Sequence, residues 1–230
     1  MATHLVTGAS SGIGAAVARR LSERGDELLL LARNPERGAE LEQRFRGSRA
    51  LVADLAHPAA VGEAIRAQGV PGRVDSLLHA AGVMELGQVG EMPADVWGHT
   101  MNVNLLSPAE LTRALLPELR AGRGHVVFVN SGSGLRASPD WAAYAASKHG
   151  LRALADALRA EELRHGMRVT SVYPGRVATP MQEKVHRQEG KEYDAADWID
   201  PESVATVILT ALDLPRDAEV TDLSVRPGPR

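Results

Sequence analysis

Tyr144 and Lys148 stand four residues apart in Tyr144-Ala-Ala-Ser-Lys148, and Ser131 lies thirteen residues before the tyrosine. A spacing of four puts a phenol and an ammonium on one face of a helix, within reach of a shared ligand. Such a set suits proton transfer at a carbonyl or alcohol oxygen. Hydride reduction of a carbonyl needs a proton donor at the oxygen, and oxidation of an alcohol needs a base there. A free tyrosine, with a pKa near ~10, is a poor base at neutral pH. An adjacent ammonium favours the phenolate and lowers that value.

The elements that must position these groups begin at the N-terminus. Thr3-His-Leu-Val-Thr7 is a short apolar strand, Gly8-Ala-Ser10-Ser11-Gly12-Ile13-Gly14 a turn, and Ala15–Leu21 a helix. The glycines let the backbone approach a pyrophosphate, and the helix N-terminus offers free N–H groups and partial positive charge. Gly8, Ser10, Ser11, Gly12, Ile13 and Gly14 are therefore candidate cofactor contacts. Their spacing is G-x-x-x-G-x-G rather than G-x-G-x-x-G. A second strand, Glu27–Ala32, ends without the acidic residue that would bond the adenosine ribose, and Arg33 follows. A carboxylate there would repel a 2′-phosphate, whereas a guanidinium binds one bidentately. NADP(H) is favoured over NAD(H) as cofactor.

The 230 residues fit one domain spanning 1–230, without cysteine and with a net charge of −3. Disulfides, thiol catalysis and a Cys-based metal site are excluded. No basic field for nucleic acid is present, and no apolar run approaches the length of a membrane span. The eight histidines form no metal-spaced cluster, so no metal is assigned. The N-terminus enters a strand at once, and a soluble cytoplasmic protein is expected. Further strands are predicted near Ala50–Ala53, Val74–His79, His125–Asn130, Arg168–Tyr173 and Glu219–Val225. Helices are predicted at about Glu36–Arg46, Pro58–Gln68, Ala94–Leu119, Tyr144–Arg164 and Pro201–Leu212. This alternation predicts an α/β Rossmann-type, doubly wound fold: a seven-stranded parallel sheet flanked by helices, with ligand beyond the strands' carboxyl ends.

With its glycine turn, its Tyr144-x-x-x-Lys148 pair and Ser131, the chain resembles the short-chain dehydrogenases/reductases over essentially its whole length. Smaller matches are Ala53-Asp54-Leu55, Ala80-Ala81-Gly82, Val103-Asn104-Leu105 and Tyr173-Pro174-Gly175 with Thr179. The resemblance implies that Tyr144 is the general acid/base, that Ser131 bonds the substrate oxygen, and that Lys148 also binds the nicotinamide ribose. It implies that Asp54 and the Leu55 backbone hold the adenine, and that Ala80, Ala81 and Gly82 line the cofactor channel. Pro174, Gly175, Val177 and Thr179 would meet the nicotinamide end. Ser133 is a rival to Ser131. Gly134 and Pro139 fall on the family's positions only if Ser131 is the catalytic serine. Two departures are visible. The family usually carries Asn-Asn-Ala-Gly where this chain has His79-Ala-Ala-Gly82, and its glycine-rich C-terminus is replaced by Leu223-Ser-Val-Arg-Pro-Gly-Pro.

Asn104 carries a separate argument. Pro108, four residues on, has no N–H to give the Asn104 carbonyl, which should be left free in a kinked helix. In the family the equivalent carbonyl binds a water that relays protons to the lysine. The alternative is a helix that ends near Asn104 with a turn at Ser107-Pro108. Substrate selectivity is expected in Met84–Glu91, Leu135–Trp141 and the segment 181–198. The last is either a mobile lid with an apolar inner face or a solvated helix pair with its aromatics facing the core. Arg136 and Arg176 are candidates to meet an anionic substrate. The expected activity is interconversion of a small-molecule carbonyl and alcohol. A cofactor sensor without turnover and a nucleotide-sugar epimerase or dehydratase are the other classes. A homodimer or homotetramer is expected, since the long Ala- and Leu-rich helices carry apolar positions on more than one face.

Overall fold

The computed structural model describes residues 1–228. Its strands are β1 (Thr3–Thr7), β2 (Glu27–Ala32), β3 (Arg49–Val52), β4 (Ser76–His79), β5 (His125–Val129), β6 (Arg168–Pro174) and β7 (Asp222–Val225). They form one seven-stranded sheet in the order β3-β2-β1-β4-β5-β6-β7, and every pair is parallel. The order reverses between β1 and β4, which leaves a crevice at the carboxyl ends where ligands bind in such sheets. The expected sheet is present, with β3, β4 and β7 ending within a few residues of the predicted bounds.

Sequence pattern explains the layering. Central parallel strands are covered on both faces and so are apolar without alternation. In β2 the run Leu28-Leu-Leu-Leu-Ala32 is wholly buried. The edge strands β3 and β7 are partly exposed.

The helices are α1 (Gly12–Glu23), α2 (Pro35–Arg44), α3 (Pro58–Gln68), α4 (Ala94–Met101), α5 (Ser107–Gly122), α6 (Ala142–Glu162), α7 (Pro180–Glu189) and α8 (Pro201–Asp213). One core joins α1, α2 and α8 to the sheet through Val17, Leu21, Leu41, Val204 and Ile208. The other joins α3, α5 and α6 through Ile65, Leu111, Leu115, Leu119, Leu151 and Leu158. Leu111, Leu115 and Leu119 repeat every four residues on one stripe of α5, each removed from water at a gain of about 2 kcal/mol. The predicted helix Ala94–Leu119 proves to be α4 and α5 joined by a π-helical segment, Asn102–Leu106. Helix α7 and a 3-10 turn at Ala195–Asp197 fall in the segment 181–198, where a helix pair is one of the two readings of the sequence. The polar composition of α7 gave no clear apolar stripe, and only packing against the site reveals its face. No helix among the described residues is long and apolar enough to cross a membrane.

Candidate active site

Helix α6 starts just before Tyr144, so Tyr144 and Lys148 lie on its first two turns, on one face and buried. The Lys148 ammonium donates to the Val129 carbonyl at the end of β5 (2.9 Å) and lies 5.7 Å from the Tyr144 ring centroid. Among the described residues no carboxylate pairs with it. Burial alone brings its pKa down to about 8. Burial pushes the Tyr144 phenol up, and an interaction with the Ser131 hydroxyl pulls the other way. The lowering expected from Lys148 is thus not what the environment produces. Desolvation outweighs the Ser131 hydrogen bond, so the phenol lies above its ordinary value.

Ser131 leads off β5 into a short 3-10 turn, Gly132–Gly134, and its oxygen accepts from the Ser133 N–H at 3.1 Å. Of the two serines, it is Ser131 that interacts with the phenol. The turn is fixed by Asn130, whose amide donates to the Lys148 carbonyl and accepts from the Ser131 N–H. Gly134 is required at this crossing, since a Cβ would sit 2.3 Å from Asn130 Oδ1.

At Asn104 the chain remains helical, and the alternative of a helix end with a turn at Ser107-Pro108 is not what forms. The Ser107 N–H bonds the Asn102 carbonyl five residues back, the π pattern, just before Pro108. The Asn104 side chain is buried and clamps the loop after β4. Its Oδ1 accepts from the Val83 N–H (2.8 Å), and its Nδ2 donates to the Val83 carbonyl (2.9 Å) and Ser147 Oγ (3.0 Å). Ser147 in turn donates to the Tyr144 carbonyl at 2.7 Å, so the clamp is tied to α6. Sequence reasoning missed this side-chain role. It also missed Ser107 and Asn102, which hold the loop after β3 through the Leu55 and Ala56 carbonyls.

The histidine that replaces the expected Asn after β4 has its own partners. His79 bonds Thr112 Oγ1 on α5 (2.9 Å) and stacks on Phe128. Burial first, then the Lys148 charge, bring its pKa down to about 3, so it is neutral. The backbone N–H groups of Ala80 and Ala81 both donate to Thr7 Oγ1 at 3.0 Å, and this fixes the approach of that loop to Gly8. A Cβ on Gly8, which has φ +73°, would meet the Ala80–Ala81 backbone at 2.7 Å. At Gly82 a Cβ would lie 3.3 Å from Asn104 Oδ1 and 3.9 Å from Lys148 Nζ, so this glycine is next to the site.

On the cofactor side, Ser11 caps α1 in extended conformation without a side-chain bond to the helix. Helices α2, α7 and α8 are each capped by a side chain, from Asn34, Thr179 and Asp200. The first N–H groups of α1 thus keep their donors for an anion, and the loop fits a pyrophosphate. Ser10 and Ser11 are exposed, Ile13 is half-buried, and Gly14 packs directly on the Gly8 carbonyl. Arg44 of α2 steadies the loop through the Ser10 carbonyl at 2.9 Å. Arg33 is exposed just beyond β2 and, among the described residues, makes no ion pair. Asp54 is exposed after β3, where its Oδ1 accepts from the Ala56 N–H.

Pro174 ends β6, Gly175 donates to the Val225 carbonyl, and Val177 bridges to Ile199. Thr179 caps α7, and a Cβ on Gly12 would be 2.8 Å from its methyl group, so the two halves of the expected cofactor site meet here.

Helix α7 lies against Tyr144. Met84, Tyr144 and Val185 form a small core with Leu86, Trp141 and Met181 around them. Glu85 receives both Lys184 and Gln188 from α7. The aromatics of the segment 181–198 fold back on the helix, with His186 against Tyr193 and Trp198. Arg136 is exposed, whereas Arg176 is held by Glu189 and two indoles.

Residues 2–190 match the family model for short chain dehydrogenase. The oxidoreductase UcpA of Escherichia coli O157:H7 is 38% identical over 223 residues, 94% of this chain and 82% of that protein. An uncharacterized oxidoreductase of Staphylococcus saprophyticus is 30% identical over 97% of this chain and 96% of its own length. Among solved structures, a metagenomic short-chain oxidoreductase in complex with NADP superposes with a TM-score of 0.81 at 31% identity. That match covers 99% of this chain and 97% of the other. The alcohol dehydrogenase of the archaeon Thermococcus sibiricus, complexed with 5-hydroxy-NADP, gives a TM-score of 0.84 at 26% identity, covering 98% and 96%. The glycine turn opening α1, the buried Tyr144–Lys148 face and these likenesses agree, and the chain belongs to the short-chain dehydrogenase family of oxidoreductases.

Proposed function

We propose that the protein is an NADP(H)-dependent oxidoreductase that interconverts a small-molecule carbonyl and an alcohol, with Tyr144 as general acid and base. The observation that carries this reading is the buried Tyr144 phenol with Ser131 acting on it and an ammonium without a carboxylate partner on the next turn. When bound, the cofactor supplies or accepts the hydride.

Gly8, Gly12, Gly14 and the first N–H groups of α1 would hold its pyrophosphate. Asp54 and the Leu55 backbone would meet the adenine, and Arg33 a 2′-phosphate. Lys148 would bind the nicotinamide ribose, and Pro174, Gly175, Val177 and Thr179 would face the nicotinamide end.

The protein's own groups do the proton work. Ser131 fixes the substrate oxygen against the phenol, and Tyr144 donates its proton to that oxygen in reduction or removes it in oxidation. Burial raises the phenol further above neutral pH, so Tyr144 enters the reaction carrying its proton, as reduction requires. Lys148 restores the proton, with the carbonyl of Asn104 at the π segment as the binding point for a relaying water. Exposed apolar positions such as Leu106, at the junction with α5, suit a homodimer or homotetramer.

The test is NADPH and NADH oxidation across a panel of aldehydes and ketones, with Tyr144→Phe alongside. Turnover that is faster with NADPH, and that falls at least ~10³-fold in Tyr144→Phe while cofactor binding persists, supports the reading. Cofactor binding without turnover on any carbonyl would move the assignment to a sensor.

A further inference from the structure

Resting on the reductase reading, we propose that the substrate is a neutral, largely apolar ketone or aldehyde, and that Glu189 enforces this choice by occupying Arg176. The wall beside Tyr144 is built from Met84, Leu86, Trp141, Met181 and Val185, which offer no charge and little hydrogen bonding. A neutral carbonyl compound can dehydrate such a wall at a gain, whereas a carboxylate there would lose its water without replacement.

Arg176 is the cation placed to prevent that loss. It follows the Pro174-Gly175 turn directly, and its guanidinium carbon lies 5.9 Å from the Trp141 ring and 5.4 Å from the Trp198 ring. Trp141 in turn meets Tyr144 edge-on at 5.9 Å, so the guanidinium is one ring removed from the phenol. Left free, it would draw an anionic substrate toward the tyrosine.

It is not free. Glu189, at the end of α7, takes it bidentately at 2.5 and 3.1 Å, and only 13% of the Glu189 side chain is exposed. Lys191 bonds the same carboxylate at 3.1 Å. The other cations of α7 are answered in the same way, Lys184 by Glu85 and Arg187 by Glu183. An anion entering the site must displace a shielded carboxylate from a planar, stacked guanidinium, and this penalty selects against it.

The experiment uses one matched pair of ligands, methyl 4-acetylbenzoate and 4-acetylbenzoate, which share a ketone and differ in charge. Binding is followed by tryptophan fluorescence, which needs no turnover, and NADPH oxidation is measured in parallel. Wild-type protein should bind the ester at least ~10-fold more tightly than the carboxylate. In Glu189→Gln the ratio should narrow at least ~5-fold through tighter binding of the carboxylate, and adding Arg176→Met should abolish that gain. Should Glu189→Gln fail to fold, Glu189→Asp, whose shorter side chain breaks the bidentate pair, carries the same expectation. Equal or tighter binding of the carboxylate by wild type, binding of neither ligand, or a ratio unmoved in the folded variants would overturn the proposal. Selective ester binding that responds to Glu189 with no NADPH consumed would leave the specificity standing and sink the reductase reading instead.

Discussion

Asn104 bonds both backbone groups of Val83, accepting from its N–H at 2.8 Å and donating to its carbonyl at 2.9 Å. One buried amide thus closes a miniature sheet contact between the π segment and the loop after β4, and its third bond reaches Ser147, between Tyr144 and Lys148. Asn104→Ala would leave buried backbone groups without partners, each costing about 1–3 kcal/mol. Melting should fall by roughly 5–10 °C, given about 2–4 °C per kcal/mol in a chain of this size. Turnover should fall at least ~10-fold, because Gly82 and Tyr144 both lose their support. Asn104→Asp keeps the acceptor and loses the donor, and should lie between the two. Wild-type melting in Asn104→Ala would refute the clamp.

The pH profile of reduction should report Lys148. Burial lowers its pKa to about 8, so the ammonium is present below that pH and lost above it. If the charge is needed, kcat/KM for reduction falls as pH rises through about 8. Lys148→Met should lose most activity and show no such limb. A profile in wild type that stays flat from pH 7 to 9 would remove the ammonium from the mechanism.

Cofactor choice should turn on Arg33. It stands exposed beyond β2 with no ion pair among the described residues, so its replacement costs no internal contact. Arg33→Ala should weaken NADPH binding about 10-fold, the worth of one charge-assisted contact, and leave NADH within about twofold. Equal losses for the two cofactors, measured by fluorescence titration, would show that Arg33 does not read the 2′-phosphate.

Gly14 is among the glycines least able to change. A Cβ there would lie 2.4 Å from the Gly8 carbonyl oxygen and 3.1 Å from that of Thr7, both backbone atoms that cannot swing away. Gly14→Ala should destabilise by about 2–3 kcal/mol and abolish cofactor binding, whereas Gly72→Ala, where nothing lies within 4 Å, should be silent. Calorimetry and cofactor titration on the two variants decide it.

Acid should unfold the protein early. His79 and His125 stay neutral in the fold down to about pH 3, because burial opposes their charge, while in the unfolded chain they protonate near 6.5. Between those values the unfolded state binds more protons, so stability falls as pH falls. At pH 5 the loss is about 2 kcal/mol for each histidine, enough to lower melting by roughly 8–16 °C relative to pH 7.5. His4, lowered mainly by burial, adds in the same direction. His79→Asn should remove part of this dependence, and an unchanged slope of melting temperature against pH in that variant would contradict the assignment.

The sequence by itself determined what local chemistry dictates. Fully apolar runs such as Leu28–Leu31 could only be central parallel strands, and the glycine turn before Ala15 could only open a helix. Tyr144 and Lys148 share a face because helical geometry sets it, whatever surrounds them. Pro108 announced a disturbance of the helix at Asn104, although a proline does not say which repair the backbone adopts, and packing chose a π turn over a break. What tertiary structure decided is everything that depends on environment. The phenol is pushed up because burial, which spacing cannot reveal, outweighs its hydrogen bond with Ser131. Helix α7 exists because an apolar wall at Met84 and Trp141 receives it, though its own sequence is mostly polar. Arg176 is one arginine among many until Glu189, thirteen residues on, and two indoles from separate segments close around it. Desolvation and charge pairing act through space, so those properties arise only once the chain has brought distant residues together.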